Sequence, residues 1–477
     1  MRSSVCCSLL ILFAHFAAVI LEKNKALKCV GREIDPPVRK EAGFCPAIRS
    51  CSFLRGGDDC LKNDTCDCDK HYVRGYTGDC ISSDDCIDDY KKHIQRIDEY
   101  KREPKLSRTY KLKKPTFHTE HVLCYDDLGC FDRHTVSDTV PQNVEVIDAH
   151  ISSWSKRKVF DDYLEKGSRV QMYPLPENFI PNQFISRLVV MSHGFKQSGS
   201  EPIYPEIRDL FLENNIDLVL MLHWGDNVSP WEYPAAASYT EIVGRMLGLI
   251  LARWTRESVI TSKSVHLWGY SLGAHLSNFA AKFYTSLTYK KIRRLTLMDA
   301  AGPYFDNPLL RPTSDSAEFV EAYHTSGGQF ITPVDTLTTY KFGIATEMGH
   351  TDFYINSGTL HDGVVQPGCD TWIPHPPCSH STANKFFKSS FKCSAVSIYC
   401  DSYGGYMKRP DRECKLDNYS ILGLKAETAD GVKNQYINTA SQDICDIIEY
   451  HKKLLTGTHL KDNPYKQQSN TCVKLIG

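Results

Sequence analysis

Gly269-Tyr270-Ser271-Leu272-Gly273 is the stretch of this chain best suited to covalent chemistry. A serine held between glycines on a sharp turn has strained backbone angles and an exposed hydroxyl. Such a hydroxyl is a poor nucleophile until a base within hydrogen-bond reach takes its proton. The backbone N–H of the following residue, Leu272, is then placed to face a developing oxyanion. Seven histidines lie beyond Asp299 and are candidate bases: His324, His350, His361, His375, His380, His451 and His459. Residue type does not choose among them. The pentapeptide alone is a weak signal, and its weight depends on the elements that flank it.

Those elements are of the right kind. Ser264–Trp268 is short and mostly apolar, as a buried strand is. Leu276–Phe283 carries Leu276, Phe279, Ala280 and Phe283 at helical spacing. Strand, turn and helix therefore bracket Ser271. Apolar runs at Leu188–Met191, Ile216–Leu222 and Leu295–Met298 also read as buried strands. Ala235–Trp254 reads as a helix with an apolar face of Ile242, Val243, Met246, Leu249 and Ile250. Alternating strands and helices predict an α/β fold with a mostly parallel central sheet covered on both faces. In such sheets chemistry sits beyond the carboxyl ends of the strands. Phe195, Ser271 and Asp299 each lie just past the end of a predicted strand.

Six stretches then occur in order: His193-Gly194-Phe195, Gly269 to His275, Leu297 to Pro303, Gly349 to Gly358, Pro367-Gly368-Cys369 and Cys378-Ser379-His380. They are preceded by Cys124-Tyr125-Asp126-Asp127-Leu128-Gly129-Cys130, whose cysteines are close enough to clip a small loop. Together they resemble the pancreatic lipase family of α/β-hydrolases over roughly Val122 to Cys445. The resemblance implies an α/β-hydrolase fold and the order serine, acid, histidine. It implies Ser271 as nucleophile, Asp299 as acid and His380 as base, with the N–H groups of Phe195 and Leu272 as oxyanion hole. His275 and His350 then read as structural. It also implies disulfides Cys369–Cys378 and Cys400–Cys414. No cofactor is expected. A calcium site known in some members would fall between Asp299 and Phe319, where Asp306, Asp315 and Glu318 stand at altered spacing, so no metal is expected either.

In this family the loop between Cys369 and Cys378 is the lid. Here it holds eight residues with three prolines, which cannot form an amphipathic helix. Trp372 and Ile373 are its apolar members and could touch a membrane. Short lids in the family accompany phospholipase A1 and galactolipid activity, so the resemblance leans to that activity over triacylglycerol hydrolysis. Large members also carry a lipid-docking β-sandwich, for which the tail 446–477 is too short. A different class of function, a non-catalytic lipid-carrying or yolk-type protein on the same fold, is disfavoured because Ser271, Asp299 and His380 are all present.

Composition bounds the remainder. The chain has 477 residues, a hydrophobic fraction of 42% and a net charge of -1, so no field favours nucleic acid. Arg2 followed by the apolar run Val5–Leu21 and then Glu22-Lys23-Asn24-Lys25 reads as a secretory signal over residues 1–21 rather than a signal anchor. Loss of Cys6 and Cys7 with it leaves seventeen of the 19 cysteines, an odd number. Eight fall in a module at 29–86 with few large apolar residues, so disulfides must hold it. Cys66 to Cys86 resembles the C-terminal half of a trypsin-inhibitor-like domain, with two of the usual ten cysteines missing. That implies either a protease partner, with Leu54 or Arg55 offered to it, or a docking spacer. Residues 87–120 form a charged linker, 121–445 the catalytic domain and 446–477 a tail. Cys393, Cys445 and Cys472 have no assigned partner. Asn63 and Asn418 head glycosylation sequons. The whole reads as a secreted serine esterase acting on glycerolipids at membrane or aggregate surfaces.

Overall fold

The computed structural model describes residues 115 to 456 apart from short stretches, the longest being 161–165, 329–341, 360–364, 370–377 and 427–432. It also describes two strands, Tyr72–Arg74 and Cys80–Ser82, which pair antiparallel. The signal segment, the rest of the cysteine-rich module, most of the linker and residues 457–477 lie outside the described residues.

One sheet organises the fold. Its strands are β1 (His150–Ser155), β2 (Val170–Gln171), β3 (Leu188–Ser192), β4 (Leu218–His223), β5 (Val265–Tyr270), β6 (Arg294–Met298), β7 (Phe319–His324), β8 (Thr351–Ile355), β9 (Val396–Cys400), β10 (Cys414–Ile421) and β11 (Asn434–Ile437). Their spatial order is β10-β9-β11-β8-β7-β6-β5-β3-β4-β1-β2. The run from β11 to β4 is parallel throughout, and both flanks are antiparallel. This is the α/β-hydrolase architecture. Four helices matter for the site: α1 (Ile203–Glu213), α2 (Tyr233–Arg256), α3 (Leu272–Thr288) and α4 (Cys378–Ser389).

The central strands are buried at every position because both of their faces are covered. Alternate residues point to opposite faces. Val190, Leu220, Leu267 and Leu297 join the core beneath α2 and α3. Val189, Met191, Val219, Met221, Trp268 and Met298 join the core beneath α1 and α4. Helix α2 is long and apolar enough to cross a bilayer, yet most of it is buried inside the fold, which makes it a core helix. Arg253 and Arg256 in its last turn oppose its dipole favourably.

Several bounds differ from the sequence reading. Helix α3 begins at Leu272, directly after Ser271. Phe117–His118, within the predicted linker, pairs with Val122–Tyr125 in a small sheet closed by Cys124–Cys130. A helix at Glu449–Thr456 lies in the predicted tail, with Leu455 buried. Cys393 and Cys445, left unassigned above, are bonded to each other. Cys400–Cys414 is also formed.

Candidate active site

Ser271 is the single residue between β5 and α3, with φ 55° and ψ −121°. Its N–H donates to Met298 O at 3.0 Å, which ties the turn to the end of β6. The flanking glycines are required by close approach. A Cβ on Gly269 would sit 2.2 Å from Gly273 O, and one on Gly273 would sit 2.4 Å from Ser192 O. Both obstacles are backbone and cannot swing away.

Asp299 follows β6 directly, fully buried, with φ 42°. Its N–H donates to Tyr323 O at 2.8 Å. His380 is in the first turn of α4. Its Nδ1 lies 2.7 Å from Asp299 Oδ2, and its Nε2 lies 2.8 Å from Ser271 Oγ. With Nδ1–H donating to the carboxylate, Nε2 is left as an acceptor for the serine hydroxyl. The rings of Tyr270 and Phe342 flank His380, at 4.9 and 5.6 Å between centroids.

A buried carboxylate needs donors. Asp299 finds them in the loop after β7. Oδ1 accepts from the N–H groups of Thr325 (2.9 Å) and Ser326 (3.3 Å), and Oδ2 accepts from the Ser326 hydroxyl (2.5 Å). Gln366, also buried, joins this loop to the histidine. Its Nε2 donates to Thr325 O and Ile355 O, its Oε1 accepts from Asn356, and its N–H donates to Ser379 Oγ at 3.3 Å. The sequence reading missed Ser326 and Gln366. The available signal was weak: in a parallel sheet, polar residues just past one strand abut those past the next.

Gly194 packs against Ser271, since a Cβ there would come 2.9 Å from Ser271 Cβ. The N–H groups of Phe195 and Leu272 have no acceptor among the described residues. The Phe195 ring meets the Tyr233 ring edge to face at 5.1 Å. Four other histidines have partners of their own. His275 donates to Ala301 O, and His350 accepts from the Val320 N–H. His324 bonds Asp352 and Ile344 O, and His451 bonds the Tyr406 hydroxyl and Val396 O. His361, His375 and His459 lie outside the described residues, as do Trp372 and Ile373. Cys369 and Cys378, which bound that last stretch, are bonded with their Cα atoms 5.7 Å apart.

Residues 178–444 match the family model described as Lipase. A protein from Polistes dominula named phospholipase A1 1 is 28% identical over 328 residues, which covers 64% of this chain and 87% of that one. Lipase member H-A from Xenopus laevis is 31% identical over 238 residues, 48% of this chain and 47% of that one. Hepatic triacylglycerol lipase from Homo sapiens is 30% identical over 239 residues, 46% of each chain.

Proposed function

The chain belongs to the Lipase family, and from that premise we propose that it is a secreted, phospholipase A1-type esterase whose nucleophile is Ser271. It is a carboxylic ester hydrolase of glycerolipids. The observation that carries the catalytic reading is the unbroken hydrogen-bonded path from Asp299 Oδ2 through His380 to Ser271 Oγ.

The chemistry follows from that path. As Ser271 Oγ bonds to the acyl carbon, its proton passes to His380 Nε2. Asp299 holds Nδ1–H and stabilises the resulting imidazolium without taking its proton. The carbonyl oxygen becomes an oxyanion, which the N–H groups of Phe195 and Leu272 receive. Each such donor is worth about 2.7–4 kcal/mol in the transition state. His380 Nε2–H then protonates the glycerol oxygen as the carbon–oxygen bond breaks, leaving an acyl-enzyme and a deacylated lipid. Water, deprotonated by the same nitrogen, attacks the acyl-enzyme and regenerates Ser271 with release of the fatty acid.

The lean to phospholipid rests on the loop clamped by Cys369–Cys378. Eight residues between bonded cysteines, three of them proline, leave no uninterrupted run for an amphipathic helix, which favours a site whose turnover is not gated by a helical cover. The match to phospholipase A1 1 of Polistes dominula over most of that protein supports the same reading. Four disulfides among the described residues, together with the apolar run Val5–Leu21, support secretion. Fatty-acid release from phosphatidylcholine and from emulsified triolein, measured side by side, tests the substrate. The expected result is phospholipid cleavage with little rate jump as substrate passes from monomers to aggregates. Strong interfacial activation on triolein without phospholipid cleavage would sink it.

A further inference from the structure

His193 directly follows β3 and is 1% exposed. Its imidazole stacks on the indole of Trp224, with centroids 5.5 Å apart and planes 10° apart. The Trp224 backbone N–H donates to His193 Nε2 at 3.4 Å, and Trp224 Nε1–H donates to the His193 carbonyl at 3.3 Å. A ring nitrogen that accepts a hydrogen bond carries no proton. Burial holds the pKa of this ring down to about 4, so it is neutral near pH 7. Its single proton therefore sits on Nδ1. Nδ1 lies 2.9 Å from Gly194 O and donates to it.

That carbonyl has a particular partner across its own peptide bond. The Gly194 C=O and the Phe195 N–H belong to one planar unit, pointing in opposite directions. Holding the oxygen fixes where the N–H points. Pulling electron density toward the oxygen also makes the N–H a stronger donor, as in any hydrogen-bonded chain. The same peptide is packed against Ser271, and its N–H has no acceptor among the described residues.

We infer that His193 is a positioning residue for the oxyanion: its Nδ1–H aims and polarises the Gly194–Phe195 peptide so that the Phe195 N–H meets the charge developing beside Ser271. Trp224, by donating to Nε2, selects the tautomer that makes this possible. The inference deepens the proposed esterase mechanism and rests on it.

The test compares His193→Phe, which keeps a ring on Trp224 but no donor, with His193→Asn, whose amide nitrogen falls near the place of Nδ1. In His193→Phe, kcat should fall about 10- to 100-fold, less than or comparable to loss of a whole oxyanion donor, while KM changes little. Affinity for an alkyl boronic acid, whose tetrahedral adduct on Ser271 mimics the oxyanion, should fall by a similar factor. His193→Asn should recover much of both. Nitrogen-15 spectra of the unmodified protein should show Nδ1 protonated and Nε2 bare. An unchanged kcat in folded His193→Phe would overturn the inference, as would boronate affinity that stays constant while kcat falls. A spectrum with the proton on Nε2 would overturn it even if the variants do not fold. Ser271→Ala run alongside separates the two levels: activity surviving in that variant sinks the esterase mechanism itself, whereas its loss leaves the His193 comparison to stand alone.

Discussion

The hydroxyl of Ser326 donates to Asp299 Oδ2, the same carboxylate oxygen that accepts Nδ1 of His380. One oxygen thus holds two donors, and the Gly343 N–H in turn donates to Ser326 Oγ at 3.2 Å. The carboxylate cannot rotate without breaking this set. Ser326→Ala should therefore loosen the acid without removing it, lowering kcat by about 3- to 10-fold, consistent with loss of one hydrogen bond of roughly 1 kcal/mol. Asp299→Asn should cost about four orders of magnitude, because the amide favours the wrong imidazole tautomer. Steady-state kinetics on a soluble ester would rank the two. A Ser326→Ala loss as large as that of Asp299→Asn would contradict this account.

Burial makes stability depend on acid. It lowers the pKa of His193, His223 and His451 to about 4 and of His275 to about 3. The unfolded chain binds these protons near pH 6.5, the folded one only at lower pH. Their contribution is thus complete above about pH 6.5 and lost as pH falls toward 4, at up to about 1.4 kcal/mol per pH unit for each ring. His324 acts in the opposite sense. Both its nitrogens face acceptors, Asp352 Oδ1 at 2.8 Å and Ile344 O at 2.7 Å, and its pKa is raised despite burial, chiefly by the bond to Asp352. Its contribution is complete below about pH 6.5 and lost as pH rises through its folded pKa. Calorimetry across pH 7 to 4 should show Tm falling steadily. A flat Tm over that window would show that the four rings are not buried neutral.

Cys393–Cys445 spans 52 residues and ties the segment after α4, which carries His380, to the chain beyond β11. Closing a loop of that length stabilises by about 4 kcal/mol in the chain-entropy model. Replacing both cysteines with alanine should lower the urea midpoint with little change in kcat at 25 °C. Peptide mapping without reduction should recover 393 joined to 445. Recovery of Cys393 joined to a different cysteine would remove the basis of this prediction.

How much of this was readable beforehand depends on range. The parallel sheet was legible because runs such as Leu188–Met191 and Leu295–Met298 are apolar on both faces, which is what two covering layers demand. The turn at Ser271 was legible because strand, glycine and helix follow within a few residues. The proposed base was not legible from residue type: His380 is 109 residues from Ser271, and six other histidines lie beyond Asp299. Family resemblance alone singled it out. Ser326 and Gln366 left no local mark, since their role arises only where the ends of neighbouring strands meet. The pairing of Cys393 with Cys445 was hidden for the same reason.

The central claim is that Ser271 attacks an sn-1 acyl ester. Phosphatidylcholine carrying different fatty acids at sn-1 and sn-2, given to the unmodified protein and to Ser271→Ala, tests it in one measurement of released acid. The account predicts release of the sn-1 acid and a fall of about six orders of magnitude in the variant, as for removal of one member of a cooperating triad. Release of the sn-2 acid, or activity retained in Ser271→Ala, would contradict it.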